Sequence, residues 1–183
     1  MISDHEAMAM ARGEAKAGMA EGGEPVGSVI VKDGEVLGRG RNRLRQDGDP
    51  TAHAEMEAYR AAARQVGRSH AVEVVESMLH GATVFTTAMP CEMCAGAILR
   101  FKAPRVVVAE VTSYKPAGTQ ALMERQGLIV DVLDDQATLA MIEDHLRAYP
   151  DRREAHEHGD DRPQHFRTSR NCVAPVVATG TAC

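Results

Sequence analysis

The chain has 183 residues, of which 44% are apolar and 26% charged, with a formal net charge of −5 at pH 7. This size and composition are typical of a globular protein with one domain and a core of its own. No apolar run approaches the roughly 20 residues that a membrane-spanning helix needs, and the acidic balance argues against non-specific binding of nucleic acid.

The first part of the chain predicts a helix and then a β-hairpin. Residues 4–20 carry apolar side chains at three- and four-residue spacing, which is typical of an amphipathic helix. Two runs over 26–32 and 35–41 flank the pair Asp33-Gly34, and this pattern predicts a tight hairpin. Asn42 follows the second strand, and a polar loop is expected over 43–50.

The next predicted helix begins with a His-x-Glu motif. Thr51 is a candidate N-cap, and the helix is expected from about residue 53 to residue 66. His53 and Glu55 then lie in its first turn, where backbone N–H groups have no helical partner and could bind a substrate oxygen. The segment 64–81 is ambiguous and allows one more short helix.

A second motif helix follows a third strand. Residues 82–87 predict the strand, and Pro90 suits the start of a helix over 91–101. Cys91 and Cys94 are three residues apart, so they share one face of this helix and can hold one ion.

The remaining elements complete an alternating pattern. Strands are expected over 105–109 and 128–133, and helices over 119–126 and 135–147. Strands that alternate with helices imply an α/β fold, with three α/β/α layers around a mixed, five-stranded central sheet. Because both motifs follow strands and open helices, we expect them at one edge of the sheet, where such folds bind ligands.

The composition changes after Pro150. Residues 151–183 are charged and rich in histidine at first, then small and mildly apolar, so they cannot build a core of their own. We therefore divide the chain into a domain over 1–150 and a C-terminal segment over 151–183, which we expect to cap a pocket in part or to be disordered.

The two motifs together predict a catalytic zinc site. His53, Cys91 and Cys94 offer one imidazole and two thiols, and Glu55 adds a free carboxylate. Structural zinc sites have four protein ligands, whereas catalytic sites keep one position open for water. Either motif alone has other interpretations, since a Cys-x-x-Cys pair also occurs in redox sites and structural zinc sites. The combination H-x-E with P-C-x-x-C is the signature of zinc deaminases that act on nucleobases.

Residues 4–150 resemble the cytidine deaminase-like superfamily, and within it the small zinc-dependent cytosine deaminases of the fungal type. The segments that carry the resemblance are EPVG at 24–27, LGRGRN at 37–42, HAE at 53–55, PCEMCAGAI at 90–98 and GLIVDVLD at 127–134. Guanine deaminases and tRNA adenosine deaminases share the zinc motifs and match less well after residue 105.

The resemblance implies a role for each motif residue. His53, Cys91 and Cys94 bind one zinc ion per chain, and Glu55 moves protons between water, the substrate ring and the leaving ammonia. Substrate contacts are implied for Asn42, for the backbone N–H of Ala54, for Tyr114 and for His156. From the residues alone, Asn42 could simply form a turn after a strand, and Tyr114 could simply cover the core. The resemblance also implies a homodimer.

Two departures from this family bear on the substrate. In cytosine deaminases of this type, the segment after the last helix supplies a Trp and an acidic residue that close the pocket. The corresponding segment over 150–158 has no Trp, and His156, Glu154 or Glu157 stands for the acidic residue. Met89 replaces the usual polar residue before the Pro-Cys pair. The other histidines of the domain show no partner in the sequence and are not expected to be ligands: His5, His70, His80 and His145.

We therefore expect a cytoplasmic, zinc-dependent hydrolase that deaminates a small heterocycle, with cytosine as the first candidate and a role in pyrimidine salvage. Its N-terminus is polar and acidic, unlike a secretory signal. Isocytosine, creatinine and a guanine-like purine remain as alternative substrates. Cys172 and Cys183 are expected to be spectators.

Two other functions stay open. A tRNA adenosine deaminase needs clustered basic residues around its pocket. The candidate cluster is Arg39, Arg41, Arg43 and Arg45, although strand alternation would divide it between two faces. A non-enzymatic module would close its zinc site with Glu55 or with a cysteine of the C-terminal segment as the fourth ligand.

Overall fold

A mixed five-stranded sheet forms the centre of this computed structural model, which describes residues 2–66, 72–114 and 118–152. The strands are β1 (Gly27–Lys32), β2 (Glu35–Arg41), β3 (Thr83–Thr86), β4 (Arg105–Val108) and β5 (Ile129–Val132). Their order is β2-β1-β3-β4-β5, with β1 antiparallel to both neighbours and β3, β4 and β5 parallel. The sheet predicted from the sequence is confirmed.

Seven helices lie among the described residues. They are α1 (Asp4–Ala20), α2 (Leu44–Asp47), α3 (Ala54–Val66), α4 (Val72–Leu79), α5 (Glu92–Arg100), α6 (Thr119–Arg125) and α7 (Gln136–Ala148). A capping box between Ser3 and Glu6 begins α1, and the Asp135 side chain caps α7. Helix α4 is the short helix that the sequence allowed within the ambiguous segment 64–81.

The helices cover both faces of the sheet. Side chains alternate between the two faces along a strand, so each central strand contributes to two cores. In β4, Val107 packs toward α1, whereas Val106 and Val108 pack in the core that α3 to α6 cover. Helix α7 packs against α1, where Ala15 meets Ile142. This arrangement confirms the predicted three-layer α/β/α fold and the apolar character of a strand buried on both sides.

The predicted hairpin turn forms at Asp33 and Gly34, which have φ angles of 53° and 82°. Two consecutive positive φ angles define the type I′ turn that suits a two-residue hairpin.

Helix α3 packs very closely on strand β2 at Gly38. A Cβ atom added to Gly38 would stand 2.2 Å from the Ala58 carbonyl oxygen of α3. Glycine at this position lets α3 pack directly on the strand.

Gly38→Ala is expected to lower the free energy of unfolding by about 1–3 kcal/mol, because α3 must move away from β2 to admit the methyl group. Gly13→Ala is the matched control, since Gly13 is an exposed residue of α1 and a Cβ added to it would meet no atom within 4 Å. It should raise the free energy of unfolding by about 0.5–1 kcal/mol through helix propensity. Denaturant unfolding of both variants measures the contrast, and equal effects would contradict the tight contact.

The segment between β2 and α3 differs from the expected irregular loop. It contains α2, whose first N–H, on Leu44, donates to the Asn42 Oδ1 atom at 3.1 Å. Thr51 does not cap α3, because its hydroxyl donates to Asp49 and accepts from Arg60. The helix starts one residue later than expected, and the His53 carbonyl accepts its first hydrogen bond from Glu57 at 2.9 Å.

The described chain continues two residues beyond the proposed domain boundary at Pro150. Arg152 donates hydrogen bonds to the carbonyl oxygens of Gly22 and Gly23, just after α1. The boundary itself stays a prediction, and His156, Glu154 and Glu157 lie outside the described residues. No helix in the described ranges is long and apolar enough to cross a membrane.

Candidate metal centre and substrate cavity

One imidazole and two thiols meet at the starts of α3 and α5. The Nδ1 atom of His53 lies 3.5 Å from the Cys91 sulfur and 3.7 Å from the Cys94 sulfur, and the three ligand atoms lie within 4.8 Å of one another. His53 immediately precedes α3, and Cys91 occupies the N-cap position of α5. The structure thus brings together the three residues that the sequence predicts as metal ligands.

The donor set suits zinc. Imidazole nitrogen and cysteine thiolate are the preferred ligands of this ion, and three ligands leave one position of a tetrahedron open. Hydrogen bonds from Cys94 and His53 lower the pKa of Cys91 to about 4. The same contact with Cys91 raises the pKa of Cys94 and that of His53. The lowered pKa of Cys91 favours the thiolate, which is the form that binds a metal cation.

Glu55 lies beside this cluster without belonging to it. Its side chain is buried, and the hydroxyl of Thr86 in β3 donates a 3.1 Å hydrogen bond to its Oε1 atom. Burial raises the pKa of the Glu55 carboxyl, because the charged form loses its hydration. A carboxyl with a raised pKa can both take up and return a proton near neutral pH.

A cavity of about 360 Å³ opens above these groups. Its size lies at the lower end of the range of small-molecule sites, roughly 300–1,000 Å³. The residues that line it are Glu24, Val26, Asn42, Leu44, Arg45, His53, Glu55, Ala88, Met89, Cys91, Ser113, Tyr114, Ile142 and Leu146. Apolar side chains from both helical layers thus surround a few polar groups at the end of the sheet.

Three of the four residues predicted to contact a substrate can be placed relative to this cavity. Asn42 lines it, and while its Oδ1 atom caps α2, its amide nitrogen makes no hydrogen bond with any described residue. Tyr114 also lines it, and desolvation raises the pKa of its phenol to about 12, so the group stays neutral. Ala54 is buried as the first residue of α3 and does not line the cavity. His156 lies outside the described residues.

The loop that carries Tyr114 is held by a buried carboxylate. Glu110 follows β4 and accepts hydrogen bonds from the backbone N–H groups of Thr112 and Ser113, at 2.7 and 2.9 Å. The Ser113 hydroxyl donates to the same side chain. Glu110 therefore fixes the wall of the cavity next to Tyr114.

The sequence analysis missed a buried ionisable cluster on one side of the cavity. Glu24 lines the cavity and is only 6% exposed, and Arg45 donates a short hydrogen bond to it. The Nε2 atom of His145 lies 3.8 Å from Glu24 and 3.0 Å from the Arg152 guanidinium. The expectation that His145 lacks a partner is thus wrong. The sequence feature that could have indicated this cluster is the charged Glu24 just before an apolar strand.

A family profile described as the cytidine and deoxycytidylate deaminase zinc-binding region matches residues 1–110. Over 150 residues the chain is 32% identical to a cytosine deaminase of Candida albicans, covering 81% of this chain and 93% of that one. A guanine deaminase of Bacillus subtilis is 39% identical over 98 residues, which are 52% of this chain and 57% of the relative.

The fold is also similar to that of a solved deaminase. The structure comes from a study of A-to-I editing by tRNA:A34 deaminases at the wobble position of transfer RNA. It matches with a TM-score of 0.61 and 27% identity, covering 75% of this chain and 99% of the other. The similarity confirms the fold, and the family profile together with the His-Cys-Cys cluster confirms zinc as the cofactor.

Proposed function

This chain belongs to the cytidine and deoxycytidylate deaminase zinc-binding family, and we propose that it deaminates a free nucleobase or a similar small cyclic amidine. Cytosine is the first candidate, and isocytosine, creatinine and guanine are the next. The observation that carries this proposal is the buried Glu55 carboxyl, which lines the same cavity as His53 and Cys91. The similarity to relatives named for cytosine and guanine supports a single small ring as the substrate.

The proposed ligands are His53, Cys91 and Cys94, which would hold the zinc ion beside the cavity that His53 and Cys91 line. Zinc, when bound, supplies a Lewis acid that makes water a stronger acid. Glu55 takes a proton from the attacking water and passes it to a ring nitrogen. It then takes the proton of the new hydroxyl group and delivers it to the amino group, so that the C–N bond breaks, ammonia leaves and a carbonyl remains.

The substrate ring is held by groups around this carboxyl. The amide nitrogen of Asn42 is a donor for a ring oxygen or nitrogen. The N–H of Ala54, at the start of α3, stays a proposed second donor on the strength of the family resemblance, since Ala54 does not line the cavity. Tyr114, Val26 and Ile142 offer apolar surface to the flat faces of a heterocycle. We also propose that the protein is a homodimer and that His156 contributes to closure of the pocket.

Ammonia release by the zinc-loaded protein tests the proposal directly. The panel comprises cytosine, isocytosine, guanine, adenine and creatinine, with Glu55→Ala as the blank. Turnover of one ring that is lost in the blank supports the proposed chemistry and names the substrate. A zinc-loaded protein that releases ammonia from none of these rings contradicts the free bases and creatinine as substrates.

Thr86 is expected to position Glu55 without touching the substrate, because its hydroxyl donates to the carboxylate and it does not line the cavity. Thr86→Val should lower kcat by about 10- to 100-fold and leave KM unchanged, since a hydrogen bond to a charged group is lost. Thr86→Ser keeps the hydroxyl and should restore kcat. Thr83→Val, at the other end of β3, is the control. Equal losses in the two valine variants would assign Thr86 a purely structural role.

Deamination of adenosine in tRNA is the second candidate, favoured by the likeness to the tRNA deaminase structure. Two of the four arginines in the candidate basic cluster argue against it. Arg41 is paired with Glu14 and Glu21, and Arg43 with Asp47 and Glu21, so these charges are largely neutralised. Deamination of an anticodon stem-loop RNA, with binding that weakens steeply as salt rises, would favour this candidate.

A further inference from the structure

The guanidinium of Arg45 lies at the cavity in a fixed orientation. Its side chain is 43% exposed and lines the cavity, while its Nε atom donates to the Oε1 atom of Glu24. Glu24 is buried, so this hydrogen bond forms in a site with little water, where charge-assisted bonds are strong. Arg45 is therefore held by its inner nitrogen.

The two terminal nitrogens of Arg45 remain available. They make no hydrogen bond with any residue in the described ranges. The neighbouring arginines differ in this respect, because Arg41 and Arg43 each use all three guanidinium nitrogens on carboxylates. A planar guanidinium with two free terminal N–H groups is suited to bidentate binding of a carboxylate or phosphate.

Glu24 has a second arginine near the same carboxylate oxygen, Oε1. Arg152 lies 3.9 Å from its carboxylate and is tied by hydrogen bonds to the carbonyl oxygens of Gly22 and Gly23. The His145 imidazole completes the cluster. Two guanidinium groups, those of Arg45 and Arg152, thus lie near one buried carboxylate.

We propose that Arg45, oriented by Glu24, binds an acidic group of the substrate. The substrate is then an amino-substituted heterocycle that carries a carboxylate or a phosphate, with the amino-bearing carbon at the metal centre and the acidic group on Arg45. This inference rests on the proposed function and narrows its substrate class. An anion pairs with Arg45 without displacing Glu24, because the two use different nitrogens of the guanidinium.

Calorimetric binding of matched ligand pairs tests the proposal. The zinc-loaded protein is used with Glu55→Gln as a background, so that binding is measured without turnover. The pairs are cytosine and 5-carboxycytosine, pterin and 6-carboxypterin, and cytidine and cytidine 5′-monophosphate. At least one acidic member should bind about 10- to 100-fold more tightly than its neutral partner, as expected for charge-assisted hydrogen bonds. The carboxylate pairs and the phosphate pair distinguish the two sources of the acidic group.

Three variants test whether Arg45 causes the tighter binding of the acidic ligand. Arg45→Gln in the same background should remove this preference, so that the acidic and the neutral member of each pair bind with similar affinity. Glu24→Gln should weaken the preference, because the guanidinium loses its anchor. Arg43→Gln is the matched control, since Arg43 lies two residues away and does not line the cavity. It should keep the preference.

Three outcomes would overturn the proposal. Neutral and acidic members that bind equally would show that the Arg45–Glu24 pair only closes the cavity. A preference that survives Arg45→Gln would place the anion elsewhere. Tighter binding of an anticodon stem-loop RNA than of any acidic ring would assign Arg45 to a nucleic-acid phosphate. Because none of these measurements requires turnover, failure of the proposed deamination would be seen separately, as a lack of ammonia release from the acidic rings as well as from the neutral ones.

Discussion

Glu55→Gln is expected to lower kcat/KM for the substrate ring by about 100- to 10,000-fold while the zinc content stays at one ion per chain. The amide cannot take up and return a proton, and general acid–base catalysis contributes an acceleration of this order. Its carbonyl oxygen can still accept the hydrogen bond that Thr86 now donates to the carboxylate. The local structure should therefore persist, and the loss should appear in kcat. Steady-state kinetics and metal analysis of the same preparation measure both quantities.

Thermal unfolding adds a readout that does not depend on activity. A buried carboxyl costs free energy, as the raised pKa of Glu55 shows, so the neutral glutamine should leave Tm unchanged or raise it. Glu57→Gln is the matched control, because Glu57 lies in the same turn of α3, pairs with Arg60 and does not line the cavity. It should retain full turnover.

The same variant decides between an enzyme and a zinc-stabilised module. If Glu55 closed the metal site as a fourth ligand, Glu55→Gln would release zinc and lower Tm. The described residues bring only His53, Cys91 and Cys94 into ligand range of one another. Retention of zinc with loss of turnover is therefore the outcome that we expect.

Much of the fold follows from local patterns in the sequence. The Asp33-Gly34 turn, the continuous apolar run of β4 and the stripe of α1 are each encoded within a few residues, so their prediction needs no tertiary information. The motif residues also share this property, because His53 with Glu55, and Cys91 with Cys94, are close in the chain. The two pairs come together at the starts of α3 and α5 only because of the order of the strands in the sheet. The alternation of strands and helices in the sequence indicates this order.

The parts of the site that were missed depend on long-range contacts. Glu24, His145 and Arg152 come from three separate segments, and each alone is typical of a solvated surface residue. The role of Thr86 could not be predicted from the sequence, because threonine is a common strand residue. Only the fold brings its hydroxyl into hydrogen-bond distance of Glu55. The short helix α2 was missed because its four residues are too few to show a helical period.

Asn42 shows why the structural and the functional interpretations of one residue need not compete. Its Oδ1 atom forms the turn that the sequence suggested as an alternative to function, and this bond fixes the side chain. The amide nitrogen is then left for a ligand in a defined direction. A turn-forming residue at the rim of a cavity can therefore be a preorganised hydrogen-bond donor. Its hydrogen bond to the backbone already fixes the side chain, so ligand binding loses less conformational entropy.

Removal of zinc is expected to abolish turnover, with a loss of about 1,000-fold or more, because a Lewis acid contributes several kcal/mol to the stabilisation of the transition state. The metal-free protein should also unfold at a lower temperature. A ligand that binds only the native state stabilises it by about 4 kcal/mol when its free concentration is about 1,000 times Kd. Dialysis against a chelator, followed by calorimetry and ammonia release, measures both effects, and added zinc should reverse them.

Cys94→Ala is expected to cause the same loss of turnover and of Tm, but added zinc should not reverse it. The variant therefore tests whether the His-Cys-Cys cluster is the zinc site. Cys94 is buried beside His53, and alanine removes one of the three ligand atoms, so added zinc should restore neither turnover nor Tm. Cys172→Ala is the control, since Cys172 is expected to be a spectator and lies outside those residues. Full activity after chelation, or zinc-dependent recovery of Cys94→Ala, would show that the His-Cys-Cys cluster is not the catalytic metal site. Loss in both cysteine variants would instead point to a fourth ligand from the C-terminal segment, and hence to a closed, structural zinc site.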